Sequence, residues 1–378
     1  MATGQRHILA LDGVRGIAIL MVIACHLELV GVAVGTSPIS QIVRKTMWMG
    51  WSGVDLFFVL SGFLITGILI DKKESSNRVR SFYVRRMLRI APLYYLALLL
   101  LFIIVPFVNE YYPHRPNPMG WASYFLYLQN LWMPVKEPKH DLLGHFWSLA
   151  IEEQFYFAWP WLVWRLDRKA LLRVCVALIA LAFVVRAVMV TQTPPDSAIV
   201  LMNPLCRMDT LLMGALCAMI IRSEKAMIAI RGWIPMIGGL AFVVFGAMTV
   251  LANELRSRGT LTQTFGFTLL AIAYACFILW SADNEGARNP ISQALSFAPL
   301  RSVGRYAYGI YVYHIYVLGF GLIVFKDRAH GWLACLLFAA ASYAIAAFSF
   351  EFFEKRFIDM KAALERPRPV QIKVEGYK

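Results

Sequence analysis

The chain has 378 residues, of which 59% are hydrophobic and only 16% are charged. Soluble domains carry about 25% charged residues, and a mean hydropathy of +0.59 exceeds what a water-soluble fold of this size can hide. The composition therefore excludes a soluble enzyme, a disordered chain and a secreted disulfide scaffold. It predicts a polytopic membrane protein, because each helical span needs about 20 apolar residues.

Ten strongly apolar segments follow one another along the chain, and each is predicted to be a transmembrane helix. They are 8–34, 47–70, 88–108, 146–164, 170–190, 205–222, 233–252, 263–281, 306–324 and 331–353. An eleventh, weaker segment at 118–134 is short, contains Gln129 and Asn130, and is bounded by prolines. We expect this segment to be re-entrant or interfacial.

Basic residues orient these segments, because lysine and arginine are concentrated on cytoplasmic loops. If the N-terminus is inside and 118–134 does not cross, 26 of the 37 Lys and Arg residues lie on the inner side. The sequence therefore predicts an all-α membrane domain, 1–355, with about ten spans and both termini in the cytoplasm. Residues 356–378 are predicted to be a basic cytoplasmic tail. The net charge of +14 indicates contact with anionic lipid in preference to nucleic acid.

The six cysteines lie within or at the edges of apolar segments and form no CxxC pair. This pattern predicts free thiols, with neither a disulfide framework nor a metal site. The first segment carries Asp12 and Arg15, so we do not expect it to be a cleavable signal peptide.

Ionisable residues inside spans usually mark a site, because burying them in lipid is costly. Arg15 and His26 share one face of the first helix, since eleven steps of about 100° come to about three turns. A snorkelling arginine and a structural histidine are the alternative interpretation. Asp55 lies in the second segment, where the neighbouring Ser61 and Gly62 favour a close helix–helix contact.

Further polar residues lie in segment 146–164, which opens with His145-Phe146-Trp147-Ser148, and in later segments. The adjacent Glu152 and Glu153 point about 100° apart on a helix, so they are predicted to have two roles. Helical rise puts several of these groups at similar depth in the outer half, where we expect them to meet around a wet cavity; they are His26, Asp55, Glu152, Glu153 and Arg207. A histidine among carboxylates is typical of a general base whose ring a carboxylate orients.

The inner side carries a run of arginines at the start of the third segment. Arg86 and Arg89 are one helical turn apart and follow Arg85. Such a pair can bind a phosphate group through several charge-assisted hydrogen bonds. Basic residues at an inner helix end are also common topology anchors, and this alternative stays open.

Five motifs occur in one order along the chain: Leu11–Gly16 with His26, Gly53–Phe63, Tyr83–Arg89, Trp147–Tyr156 and Tyr308–His314. Together they resemble the acyltransferase-3 family of integral membrane acyltransferases. The resemblance implies transfer of an acyl group, often acetyl, from acyl-CoA to a hydroxyl of a sugar, glycolipid or polysaccharide. We accordingly expect a multi-pass protein of a bacterial inner membrane.

By this resemblance, His26 matches the family's essential histidine and Arg15 its partner, while Arg86 and Arg89 match a pattern that meets the CoA phosphates. We assign further candidate residues around these. The full set is His26, Glu152, Asp55 and Glu153 for catalysis, Arg15, Arg86, Arg89 and Arg85 for acyl-CoA, and Arg207, Asp209, His314 and Trp147 for substrate binding.

Two other functions are weighed. A proton-coupled transporter would also use buried histidine and carboxylates, but no inverted repeat is evident. A membrane scaffold without chemistry has little reason to bear the cost of buried charges. The acceptor, the acyl chain length and the oligomeric state are left open by the sequence.

Overall fold

The computed structural model describes residues 8–32, 35, 37–104, 118–136, 143–194, 197–252, 257–326 and 330–364. Over these residues the chain is helical and contains no β-strand. In chain order the α-helices are α1 (Leu9–Leu29), α2 (Pro38–Trp48), α3 (Gly53–Asp71), α4 (Arg78–Ile104), α5 (Pro118–Phe125), α6 (Gln129–Lys136), α7 (Trp147–Arg165), α8 (Arg168–Gln192), α9 (Ala198–Met202), α10 (Pro204–Ile221), α11 (Glu224–Ile230), α12 (Ile234–Leu251), α13 (Phe267–Asp283), α14 (Pro290–Leu295), α15 (Ala298–Arg305), α16 (Ala307–Phe325), α17 (Trp332–Ser349) and α18 (Lys355–Leu364). Single π-helical turns at Thr262–Gly266 and Phe350–Glu354 precede α13 and α18.

The predicted all-α membrane fold is confirmed. Each of the ten predicted segments coincides with one helix, and within the described ranges eight helical stretches are long and apolar enough to cross a membrane. The other two helices, α4 and α7, have the length but carry the arginines and carboxylates of the candidate site. Val250 and Leu333 on α12 and α17 are about 70% exposed, as expected for faces that contact lipid. The number of spans and the side of each terminus stay predictions.

The weak segment forms two short helices, α5 and α6, of eight residues each. At about 1.5 Å per residue each is about 12 Å long, much less than a hydrocarbon core of about 30 Å. Buried amides attach α6 to the bundle. Gln129 Nε2 donates to the Phe146 carbonyl at 2.9 Å, and Asn130 and Gln154 exchange hydrogen bonds of 3.3 and 2.9 Å. These contacts agree with a segment that packs against α7 without crossing.

Several predicted boundaries differ from the structure. Helix α3 begins at Gly53, six residues inside its predicted segment, and α4 begins at Arg78, ten residues before its predicted segment. Helix α1 ends at Leu29, five residues before the predicted end of its segment, because Gly31 takes a left-handed φ of 72° that stops the helix. His26 therefore lies about one turn from the helix end, whereas a helix ending at residue 34 would leave about two turns beyond it. The predicted tail begins inside α18, and residues 365–378 lie outside the described residues. All six cysteines are free.

Glycines bring two pairs of helix backbones into contact. A Cβ at Gly62 would lie 1.8 Å from the Leu211 carbonyl oxygen, and one at Gly214 would lie 1.9 Å from that of Val59. Helices α3 and α10 can approach this closely only because these positions lack side chains, and the predicted contact at Gly62 is confirmed. Helix α15 packs on α1 in the same way, with Gly304 against the Asp12 carbonyl.

We predict that Gly62→Ala destabilises the protein by about 1–3 kcal/mol, because the added methyl group forces α3 and α10 apart. Gly239→Ala on α12 is the matched control, since a Cβ there meets no atom within 4 Å. Thermal unfolding of the purified variants in detergent measures the effect. Equal unfolding midpoints for the two variants would contradict the packing described here.

Candidate active site

A cavity of about 1760 Å³ opens among α1, α3, α4, α7, α15 and α16. Pockets for small molecules are commonly about 300–1,000 Å³, so this space suits a larger ligand. At one end its lining includes Asp71, Lys72, Arg78 and Arg222, which lie at helix ends predicted to face the cytoplasm. From there the cavity extends into the bundle.

Arginines line the cavity from three helices: Arg15 on α1, Arg85, Arg86 and Arg89 on α4, and Arg301 and Arg305 on α15. Arg15 pairs with Asp12 at 2.9 Å, and the Arg86 guanidinium lies 4.3 Å from the Tyr156 ring centre. Arg89 is exposed to the cavity. The predicted grouping of Arg15 with the α4 arginines is thus observed, and the cavity they line is a strongly basic one that attracts anions.

Both adjacent carboxylates of α7, Glu152 and Glu153, face this cavity. They are half-buried, although they lie on different sides of the helix. Between them and α3, the Ser61 hydroxyl hydrogen-bonds to the hydroxyl of Tyr156. The acids therefore lie beside the arginines in the cavity, and neither contacts His26, which bonds to Val22 and His314 instead.

The deep part of the cavity is lined by Ser148 and Tyr311. The two hydroxyls are 2.5 Å apart, and Tyr311 donates to the His145 carbonyl at 2.5 Å. Because the Tyr311 proton is used in that bond, the Ser148 hydroxyl donates to the Tyr311 oxygen. Tyr311 also packs against the ring of His314, with centroids 5.7 Å apart.

Three histidines from distant parts of the chain meet behind Tyr311. The His26 and His314 rings lie 4.8 Å apart and the His145 and His314 rings 5.1 Å apart, both edge to face. His314 is fully buried, whereas His26 is half-buried. In the described part of the chain, no group of three or more His, Cys, Asp and Glu residues is arranged to hold a metal ion.

Contacts with backbone carbonyl groups determine which ring nitrogen carries the proton in His26 and in His314. His26 Nδ1 lies 2.9 Å from the Val22 carbonyl and His314 Nδ1 lies 2.7 Å from the Tyr311 carbonyl. A carbonyl only accepts, so each Nδ1 carries the proton. Nε2 of His314 is then an acceptor, 3.4 Å from His26 Nδ1. Both of these contacts of His26 are made by Nδ1. The lone pair on its Nε2 is therefore available to accept a proton.

The predicted carboxylate partner of His26 is therefore replaced by a carbonyl and a second histidine. Among the described residues no carboxylate contacts His26 and it does not line the cavity. His26 contacts His314, whose ring packs against the cavity-lining Tyr311. The rise per residue of a helix predicted a similar membrane depth for His26 and Asp55. A similar depth does not determine which helices are neighbours.

The other predicted residues lie in the packed interior. Asp55 and Arg207 form a fully buried ion pair of 2.5 Å between α3 and α10, and the Arg207 guanidinium stacks 3.7 Å from the Phe267 ring centre. Beside it, Arg186 of α8 pairs with Asp209 at 2.8 Å, also without exposure. These contacts join α3, α8, α10 and α13.

Trp147 packs edge to face on Phe58, with ring centroids 6.1 Å apart. None of Asp55, Arg207, Asp209, His314 and Trp147 lines the cavity. Their assignment to catalysis or substrate binding stays a prediction.

Sequence reasoning missed four residues of this region: His145, Arg186, Arg301 and Tyr311. Arg186 had a visible signal, because it is an arginine within the apolar segment 170–190. His145 lies in a 3₁₀ turn just before α7, outside any helical period. Arg301 lies in a short helix between spans and was counted only as a cytoplasmic charge.

The chain belongs to the acyltransferase-3 family, whose acyltransferase domain matches residues 8–351. It is thus a multi-pass membrane protein that carries an acyltransferase domain. This agrees with the basic cavity and with the histidine held in a proton-accepting tautomer. No solved structure matches the chain.

Curated relatives give a narrower indication. The chain is 29% identical to the peptidoglycan O-acetyltransferase OatA of Listeria monocytogenes, over 93% of this chain and 56% of that protein. It is 28% identical to YrhL of Bacillus subtilis, provisionally named a peptidoglycan O-acetyltransferase, over 93% of this chain and 55% of YrhL. The chain thus spans about half the length of these relatives. Neither is named as a transporter, so that alternative gains no support.

We predict that Arg207→Met alone destabilises the protein by about 3–5 kcal/mol, because it leaves the Asp55 carboxylate buried without a partner. The double variant Asp55→Leu with Arg207→Met should recover most of this loss. Glu351→Gln, which removes an exposed partner of Arg305, should change the free energy of unfolding little. Unfolding in detergent tests all three. A double variant as unstable as Arg207→Met alone would contradict the pairing.

Proposed function

We propose that the chain transfers an acetyl group from acyl-CoA to a carbohydrate hydroxyl of the peptidoglycan class, with His26 as the general base. One observation carries this proposal: a cavity lined by arginines leads to Tyr311, which packs against the His314–His26 pair. The class of acceptor is suggested by the names of the relatives. The membrane is proposed to be a bacterial inner membrane.

The donor fits the cavity by size and charge. Acyl-CoA carries its phosphate groups at one end and a long, slender pantetheine arm at the other. We assign its phosphates to Arg15, Arg86 and Arg89, with Arg85 beside them, because guanidinium groups bind phosphate through paired, charge-assisted hydrogen bonds. The arm would extend past Glu152 and Glu153 towards Ser148 and Tyr311, which line the deep part of the same cavity.

The proposed chemistry uses the assigned tautomers. The acceptor hydroxyl gives its proton to His26 Nε2 while its oxygen attacks the thioester carbonyl carbon. The carbon–sulfur bond then breaks, and the CoA thiolate takes the proton from the imidazolium. The Val22 carbonyl and His314 Nε2 hold the Nδ1 proton throughout. They thereby perform the orienting role for which a carboxylate was predicted.

The remaining candidate residues have different proposed roles. Glu152 and Glu153 line the cavity. Their carboxylates are proposed to offset part of the positive charge around Arg86 and the donor. Asp55, in its buried pair with Arg207, is proposed to maintain the packing of α3 against α10. His26 lies near the end of α1 that is predicted to face outwards, so the acceptor is proposed to wait on the outer side.

We predict that His26→Gln lowers acetyl transfer by at least about a hundredfold, because general base catalysis typically contributes 10²–10⁴-fold. Binding of CoA should be retained, since His26 does not line the donor cavity. Labelled acetyl-CoA and purified protein measure both properties. His330→Gln is the matched control, because His330 also bonds a backbone carbonyl, that of Gly31, but lies outside the cluster. Transfer by His26→Gln at the wild-type rate would refute the proposed base.

We predict that Arg86→Gln and Arg89→Gln each weaken CoA binding by about tenfold or more, since each removes a charged hydrogen-bond donor. Arg80→Gln removes the same charge from an exposed position of α4 outside the cavity, and it should bind CoA as the wild type does. Titration calorimetry in detergent compares the variants. Equal affinities for all would identify Arg86 and Arg89 as topology anchors.

A further inference from the structure

Arg301 is a half-buried arginine of the cavity with one unsatisfied hydrogen-bond donor. Its Nε is buried without a hydrogen-bond partner, and its side chain lines the cavity. Within the described residues it forms no ion pair. A buried donor without an acceptor is costly, and such groups are rare unless a ligand or an ion satisfies them.

Other cavity arginines do have partners in the protein. Arg15 pairs with Asp12 at 2.9 Å, Arg222 with Asp71 at 2.7 Å and Arg305 with Glu351 at 3.2 Å. These carboxylates neutralise much of the positive charge at their positions. Arg301 differs from these three arginines, because it forms no ion pair with a described residue and its buried Nε has no hydrogen-bond partner.

The position of Arg301 is held by the backbone of its helix. Gly304 of α15 packs on the Asp12 carbonyl of α1, where a Cβ would come within 1.9 Å, and Gly16 of α1 packs on the Leu300 carbonyl, where a Cβ would come within 2.4 Å. These two contacts fix both the place and the rotation of α15. The packing of α15 on α1 therefore sets the direction of the Arg301 side chain towards the cavity.

We propose that Arg301 binds a phosphate of the acyl-CoA donor, as a second phosphate subsite on a different wall of the cavity from the α4 arginines. This inference rests on the proposed function. CoA carries a diphosphate and a separate phosphate on its ribose, so arginines on two walls of the cavity can each bind a different phosphate group. An anionic lipid headgroup has similar chemistry, but Arg301 lines the same cavity as Arg86 and Arg89, which favours the donor.

The test is CoA binding to the purified full chain in detergent, measured by titration calorimetry. Arg301→Gln should bind CoA about ten- to a hundredfold more weakly than the wild type, as expected for the loss of a charged hydrogen bond. Arg301→Lys, which keeps the charge but loses the planar fork, should have an intermediate affinity. Arg288→Gln is the matched control, because Arg288 is exposed on the same predicted side and lies outside the cavity.

Two results would overturn the inference. One is Arg301→Gln binding CoA as tightly as Arg288→Gln, which would also be expected if Arg301 met a lipid headgroup. The other is Arg301→Lys and Arg301→Gln losing affinity and thermal stability alike, which would indicate a packing role. If the wild type itself fails to bind CoA, the proposed function fails first, so the two failures are distinguishable.

Discussion

A charge inside a membrane must be paired with an opposite charge or reach water, and this protein uses both solutions in adjacent parts of one bundle. Helices α3, α8 and α10 bury two ion pairs, Asp55 with Arg207 and Arg186 with Asp209. Helices α1, α4, α7 and α15 instead direct their arginines and carboxylates at a cavity of about 1760 Å³. The buried ion pairs stabilise the packing of α3, α8 and α10, and the neighbouring cavity is the candidate site.

The histidine pair that packs against the cavity-lining Tyr311 differs chemically from a histidine paired with a carboxylate. A carboxylate would add a permanent negative charge in the bundle. His314 provides an acceptor without one, because its own Nδ1 proton is held by the Tyr311 carbonyl at 2.7 Å. Since Tyr311 also lines the cavity, it links the donor space to His314, which contacts the ring that is proposed to take the proton.

Much of the fold could be predicted from the sequence, because apolar runs and their flanking arginines report directly on lipid and on the cytoplasm. The face shared by Arg86 and Arg89 follows from helical period in the same way. Which helices meet does not follow from either pattern. Asp55 was therefore grouped with His26 by depth, although its partner is Arg207 on α10. His145 was not identified as a site residue, because the 3₁₀ turn that contains it is too short to show a helical period in the sequence.

The amide contacts of α6 have a consequence for biogenesis. Asn130 is satisfied in part by Gln154, which belongs to α7 and is synthesised later. Until the ribosome has delivered α7, the α5–α6 segment holds unsatisfied amides that lipid cannot solvate. Stable docking of α6 must therefore wait for its downstream neighbour, because the Asn130–Gln154 and Gln129–Phe146 contacts both require residues that are synthesised later.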